Sequence, residues 1–366
     1  MNKQTKLIIE IVLGVALLLL LSASALAQEQ PPASEAGQIS APLRASAYPE
    51  VIYDRSLVPD WDRGYVIHHE FEVNHSPGTP MVVMYDATGK RVREGRIWPQ
   101  GSGSVTIRRT AATRDGAILA SGGAVMQDGS IQHFLVKTDL NGNTAQTLQT
   151  GPFLAEQICE APDGTVWSLG KEVSSDGNRA PDTNVLRQYS FEKGLLHGFL
   201  PEDSVSAVVR SQRPWFNPFE SFVRCGKDKV SVYLNFTDEY AEVNTSSFEL
   251  KRWKLDEATV QQGKASGLAI TDDGRVYASF STHGMSGPDP LGLTGLYQLK
   301  AQPGMPIALL LPVGGTISIR GMERGQLPSP GTFVRLWGAD GNQLVINRND
   351  TWDVFWVNVI HPTGTD

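Results

Sequence analysis

The chain has 366 residues, a formal net charge of −7, 40% hydrophobic residues and two cysteines. An acidic balance with no run of basic residues argues against nucleic acid and anionic membranes as partners. Two cysteines cannot supply a dense disulfide framework, so the fold must rest on its core. The length suits one large β domain or two ordinary ones.

At the N-terminus, Lys3 and Lys6 precede an apolar run from Leu7 to Leu21 and the small-residue site Ala25-Leu26-Ala27. Residues 1–27 therefore read as a signal peptide cut after Ala27, which makes the protein secreted or periplasmic with no integral membrane span after cleavage. The alternative, an uncleaved anchor, is disfavoured because the run is short and Glu10 interrupts it. Loss of Lys3, Lys6 and Glu10 takes the charge from −7 to −7 − (2 − 1) = −8. Residues 28–48 are rich in Pro, Ala and Ser without periodicity, the composition of a flexible linker, and residues 49–366 form the folded part.

From there a weak repeat runs through the chain. A turn of the form Asp-Gly-x-(Val/Ile)-(Trp/Tyr/Leu) occurs at Asp115-Gly116, Asp163-Gly164 and Asp273-Gly274, with a looser copy at Asp340-Gly341 and degenerate ones at Arg63-Gly64 and Asp228-Lys229. Asp-Gly tolerates the positive φ of tight hairpins, and the apolar residues after it read as a strand. An apolar strand and second turn follow at Met81 to Lys90, His133 to Asn143, Val185 to Gly194, Phe248 to Ala258 and Gly295 to Gly304, with Val354 to Gly364 in the last unit. Each unit reads as four short antiparallel strands, a to d, and no stretch keeps a helical period.

Strand quartets at such a spacing are the signature of β-propeller blades, so the fold class is all-β, a six-bladed β-propeller. Seven blades is the alternative if the stretch from Pro312 to Gly331, with Thr316 to Ile319, hides a degenerate unit. The last unit runs out of residues for strand d, and an open edge aggregates. An N-terminal strand around Leu43 to Tyr53 is expected to close it. Cys159 and Cys225 each lie an odd number of positions before the valine that opens the next strand. Both side chains are then expected on the same face of their own blades, as small buried core residues and not as a disulfide.

The Asp-Gly-x-Val-Trp/Tyr turns and the recurrent Asp-x-x-Gly hairpins resemble the six-bladed propellers of exported bacterial proteins, of the broad NHL-like and gluconolactonase-like kind. The likeness spans residues 50–366 and implies a fold with no particular activity. A gluconolactonase-like enzyme would hold a divalent metal such as Ca or Zn through Glu, Asn and Asp at the loop end of the channel. Glu156, Asn217 and Glu220 are the residues here that this resemblance puts forward.

If the short a–b and c–d turns share one face, the long b–c and d–a segments share the other, where binding sites usually gather. On that face Arg210 and Arg213 accompany Trp215 and Phe216, a pairing suited to carboxylates, sugars or peptide groups. His283 and Trp352 are further ligand-binding candidates. His68, His69 and His75 read as structural or exposed, and the turn aspartates as residues bonding their own backbone. No nucleophile elbow, zinc-protease or phosphate-loop motif is present. The sequence thus points to an exported propeller that binds a small molecule or a protein partner through its loop-rich face, without catalysis or cofactor of its own. A metal-dependent hydrolase or lactonase with its site at the channel mouth is the alternative.

Overall fold

The computed structural model describes residues 38–39, 44–47, 57–70, 73–78, 81–172, 184–201, 221–234, 239–254, 264–281, 295–299, 307–312, 334–348 and 353–360. They fold as six four-stranded antiparallel sheets. Blade 1 runs β3 (Leu57–Asp62), β4 (Tyr65–Glu70), β5 (Met81–Tyr85) and β6 (Arg91–Arg96), after β1 (Gln38–Ile39) and β2 (Arg44–Ala47). Blade 2 comprises β7 (Ser102–Ala112) to β10 (Thr144–Gln149), with β8 (Ile118–Met126) and β9 (Ile131–Thr138) between. Blade 3 comprises β11 (Phe153–Glu160), β12 (Val166–Glu172), β13 (Asn184–Ser190) and β14 (Gly194–Pro201). Blade 4 comprises β15 (Phe222–Cys225), β16 (Lys229–Leu234), β17 (Glu239–Asn244) and β18 (Leu250–Lys254). Blade 5 comprises β19 (Lys264–Ile270), β20 (Val276–Ser281), β21 (Gly295–Leu299) and β22 (Ile307–Pro312). Blade 6 begins with β23 (Val334–Asp340), β24 (Gln343–Arg348) and β25 (Asp353–Val357), and β26 (Val359–Ile360) follows.

The inner strands meet in order around a ring, with β23 of the last blade against β3 of the first. Blade 6 takes its fourth strand from the N-terminus: β2 pairs antiparallel with β25, Arg44 opposite Trp356 and Ala47 opposite Asp353. A second pairing, β1 with β26, lies beside it. The closing strand expected around Leu43 to Tyr53 is therefore Arg44–Ala47, and 48–56 fall outside the described residues. The propeller takes in chain from Gln38 onward, inside the stretch whose composition reads as linker. Six is the blade count, and the segment 313–333 lies outside the described residues. In blade 4 the c–d hairpin is β17–β18. Phe248 to Ala258 thus contains strand d, one strand later than the repeat spacing implied, and Glu239–Asn244 is strand c.

Why the motif carries Val followed by an aromatic is visible in the packing. A blade is buried on both faces, so successive residues of strand b point to different neighbours. Val166 packs with Ala111 and Leu119 of blade 2, whereas Trp167 packs with Val223, Val230 and Val232 of blade 4. Val276 likewise meets Tyr233 and Tyr240 of blade 4, and Tyr277 meets Leu336 and Phe355 of blade 6. One such cluster fills each of the six junctions between blades. At the ring's inner edge the backbones approach closely: a Cβ on Gly267 of β19 would lie 1.9 Å from the Leu336 carbonyl of β23.

Cys159 and Cys225 form a disulfide, with Cα atoms 5.7 Å apart, which corrects the expectation of two unpaired core residues. The reason is a one-residue difference in the hairpins. The blade 3 turn closes between Ala161 and Thr165 and the blade 4 turn between Gly226 and Lys229. Cys159 therefore pairs with Trp167, which faces blade 4, while Cys225 pairs with Val230, which faces blade 3. A slip of one residue flips a side chain to the opposite face, so the two sulfurs meet.

Blades 1 and 2 are tied by charge. Asp60 on β3 accepts from the Thr110 amide at 2.7 Å and hydroxyl at 2.9 Å, and pairs with Arg109 and with His69. Burial pushes this carboxyl up, but Arg109 and His69 more than reverse that and hold it well below the usual carboxylate range. The adjacent His68 is buried against the edge of Tyr85, ring centroids 5.9 Å apart, and neither ring nitrogen has a hydrogen-bond partner. Burial, then His69, push it from 6.5 down to about 4, with Asp60 opposing.

Two expectations follow for stability. Reducing the Cys159–Cys225 bond, or replacing both residues with Ser, should destabilise the fold by about 2–4 kcal/mol, read as a lower melting temperature, because the bond closes a long loop in the unfolded chain. His68 is neutral in the fold and takes up its proton only when unfolded between pH 6.5 and about 4. Stability should then be full above 6.5 and fall as pH drops towards 4, by on the order of 3 kcal/mol. Melting curves of a His68→Leu variant should show a flatter profile across that interval, and an unchanged slope would refute the assignment.

Candidate functional site

The two ends of the channel differ. At the hairpin end, where the a–b turns gather, lies a cavity of about 710 Å³ lined by residues 61–63 and 65 of blade 1, 113–114 of blade 2, 159 of blade 3, 224–227 of blade 4, 269–272 of blade 5 and 338–341 of blade 6. Every blade contributes because every inner strand ends there. Short turns hold the rim in place. In blade 3 the Thr165 amide and hydroxyl donate to Asp163 at 3.0 and 2.7 Å, and in blade 5 the Arg275 amide donates to Asp273 at 3.3 Å. Gly116, Gly164 and Gly274 supply the positive φ these turns require. The aspartates are structural, as their turn positions imply.

Blade 1 departs from this pattern. Its turn is the two-residue loop Arg63-Gly64 between Asp62 and Tyr65, with φ of 49° at Arg63 and 78° at Gly64. Both values are positive, as a type I′ turn demands, and arginine at the first position is strained where Asn or Gly would not be. The strain aims the side chain across the mouth. Arg63 Nη2 donates to the Glu160 carbonyl at 2.5 Å, passing over blade 2 to reach blade 3. Its Nε has no hydrogen-bond partner, and among the described residues it pairs with Asp62 Oδ2, 3.9 Å away. Asp62 accepts from the Ala112 amide at 3.1 Å. Burial pushes Asp62 up, against the pull of Arg63 and of Arg224 from the opposite blade.

Glu160, from blade 3, is fully engaged, accepting from the Arg114 amide at 2.6 Å and from Lys137 at 3.3 Å. Asp340 accepts from the Trp356 indole at 3.0 Å. The wall beside it is aromatic: Trp61 lies 5.5 Å from Trp337 and 5.7 Å from Trp356 between ring centroids. Gly338 admits it, since a Cβ there would be 2.7 Å from the Trp61 ring.

At the loop end the described residues form a smaller groove of about 170 Å³ over blade 2. Arg108 and His133 line it beside Val73, Val125 and Ile131, three of the exposed large apolar side chains. Burial, then Arg108, push His133 below its ordinary value. Arg108 and Glu156 stand at equivalent register shifts of β7 and β11, bulges that insert one extra residue into the inner strand. Ser266 and Trp337 occupy the corresponding shifts in blades 5 and 6. Glu156 is buried with Oε2 unpartnered, and burial pushes its carboxyl up against the opposing pull of Arg108, Lys171 and Arg109.

Of the residues the sequence put forward, Glu156 is described. Arg210, Arg213, Trp215, Phe216, Asn217, Glu220, His283 and Trp352 lie outside the described residues. Among the described residues no group of three His, Cys, Asp or Glu side chains could hold a metal ion, and the charges that act on the Glu156 carboxyl are the cations Arg108, Lys171 and Arg109. His68 and His69 are buried and structural, and His75 is exposed. Sequence reasoning passed over Arg63, Arg108, Asp62 and Arg224. For Arg63 a signal existed, the one glycine turn with arginine where the others carry aspartate.

No family model matches the chain, and neither does any curated protein sequence. Solved structures with a similar course include a periplasmic gluconolactonase of Pseudomonas aeruginosa, 11% identical, with 87% of this chain and 86% of that one covered at a TM-score of 0.40. A luciferin-regenerating enzyme is 11% identical over 91% of this chain and 96% of its own, at a TM-score of 0.43. A protein of unknown function from Bacteroides caccae is 11% identical over 71% and 83%, at 0.42. Likeness at this level reaches no further than the propeller architecture. No helix among the described residues is long and apolar enough to cross a membrane.

Because Glu156 is more easily kept neutral in the fold than its ordinary value of 4.5 allows, its charge destabilises the protein above that pH. Glu156→Gln should raise the melting temperature at pH 8 and leave it unchanged at pH 4. A lower melting temperature at pH 8 would show that the carboxylate is structurally required.

Proposed function

We propose that the protein is an exported binding propeller that holds a small polar ligand at the hairpin end of its channel without chemical turnover. The observation that carries this is the cavity of about 710 Å³ to which all six blades contribute, a volume in the range of small-molecule sites. Its lining supports recognition: charged groups from blades 1, 2, 4, 5 and 6 face one space beside the indole of Trp61. A ligand there meets polar partners from several directions, and the rigid inner strands fix their positions in advance. The loop-rich face, with its groove at Arg108 and His133, remains available to a protein partner.

A metal-dependent lactonase is the competing function. It needs oxygen ligands converging on one point, and the described surroundings of Glu156 are Arg108, Lys171 and Arg109 instead. A cation would meet repulsion there.

Thermal-shift measurements against neutral sugars, polyols, amines and carboxylates should return compounds that raise the melting temperature by a few °C, since binding to the folded state alone stabilises it. The shift should survive EDTA, the compound should be recovered unchanged, and Ala339→Phe, which fills the cavity, should abolish it while the variant's own melting transition stays cooperative. Lactone hydrolysis that depends on added Ca²⁺ or Zn²⁺, or shifts indifferent to Ala339→Phe, would overturn the proposal.

A further inference from the structure

The hairpin mouth concentrates positive charge on a chain that is negative as a whole, −7 by composition. Arg63, Arg114, Arg224 and Lys227 line the cavity against Asp62, Asp272 and Asp340. The cations outnumber the carboxylates by one, and of the three carboxylates two are bonded within the fold while Asp272 is exposed. Asp62 is bonded to the Ala112 amide and Asp340 to the Trp356 indole. Among the described residues, the side chains of Arg114 and Lys227 form no ion pair, and both are exposed at the rim. Arg114 gives only its backbone amide to Glu160, which leaves its guanidinium for other use. Arg63 is pinned across the channel through one nitrogen and keeps a buried Nε–H without an acceptor.

Resting on the binding function proposed above, we propose that the ligand is a small organic carboxylate, its anionic group held between Arg63 and Arg224 with Arg114 and Lys227 drawing it in from the rim. Guanidinium groups present planar forks of N–H donors that match a carboxylate. Cations gathered at a concave mouth raise the local concentration of anions, and that contribution weakens with salt. The excess of one charge matches a monoanion, whereas a phosphate ester carrying nearly two would leave its second charge facing Asp62 and Asp272. The indole of Trp61 supplies an apolar wall for the ligand's body and an optical reporter.

The test uses benzoate as the carboxylate probe, benzamide as its neutral isostere and inorganic phosphate as the competing anion, followed by tryptophan fluorescence and calorimetry on the full propeller. Benzoate should bind at least tenfold more tightly than benzamide and than phosphate, and its affinity should fall several-fold between 20 and 200 mM salt. Arg63→Asn keeps a residue that tolerates the left-handed turn, so the fold should persist while benzoate affinity falls at least tenfold. Arg224→Gln should do the same, and both variants should bind benzamide as the parent does. Equal binding of benzoate and benzamide, abolished by Ala339→Phe, would overturn the carboxylate assignment and leave the binding function standing. Tighter binding of phosphate would likewise overturn it, and binding of no probe would count against both.

Discussion

The structure depends on the closure of its ring. Blade 6 has three strands of its own, and the fourth, Arg44–Ala47, arrives from the other end of the chain. Until it pairs with Asp353–Val357, that blade presents an open edge, the feature that invites pairing with other chains. Closure also fixes the junction of blades 6 and 1, where Trp61, Trp337 and Trp356 pack together. Contacts between residues some three hundred positions apart are costly in loop entropy and late to form. Each of the remaining junctions joins neighbours in sequence and can form locally. The ring is thus a series of local sandwiches completed by one long-range closure.

Closing six twisted sheets around an axis crowds their inner strands, and the sequence answers in three ways. Glycine appears where one backbone presses on the next, as at Gly267 against Leu336. Bulges at Arg108, Glu156, Ser266 and Trp337 insert residues that cannot join the ladder. Charged groups bond across the gap where apolar ones would not reach, as with Asp60 to Thr110 and Glu160 to the Arg114 amide. All three place polar atoms near the axis, where water must be replaced by specific partners. Arg63 Nε at one end and Glu156 Oε2 at the other are among the buried polar atoms left without a partner, and departures of this kind are tolerated at ligand sites.

Much of this architecture was legible because a propeller repeats its hairpins. Asp115-Gly116, Asp163-Gly164 and Asp273-Gly274 announce the first turn of three blades, and the apolar pair after each turn reflects burial on both faces. The disulfide was not legible, although both cysteines precede a turn. Pairing register depends on whether that turn spans four residues or five, and the missing glycine at Asp228-Lys229 hides the shorter one. Strand c of blade 4 escaped for a related reason, since Glu239–Asn244 carries two glutamates and an asparagine among Tyr240, Ala241 and Val243 and looks like loop when spacing is judged from the other units. Bulge positions leave no compositional trace at all: Arg108, Glu156, Ser266 and Trp337 share nothing except their place.

The candidate site shows why regularity in a sequence is a poor guide to where function lies on a closed scaffold. Conserving short turns keeps the hairpin face plain in composition, and long segments draw attention to the opposite face. Short turns, however, cannot reach across the channel they surround. The mouth they ring stays open, and whatever projects into it comes from the last residues of the inner strands. There a single departure is enough. Arg63 occupies a strained left-handed position and reaches past one blade to the Glu160 carbonyl of another. Arginine in this position costs local backbone energy that asparagine would avoid, and the bond to a carbonyl on a rigid strand does not require a charged donor. Within the fold that charge stands beside Asp62 and opposes the burial that pushes its carboxyl up, and the anionic ligand proposed above would draw on the same charge.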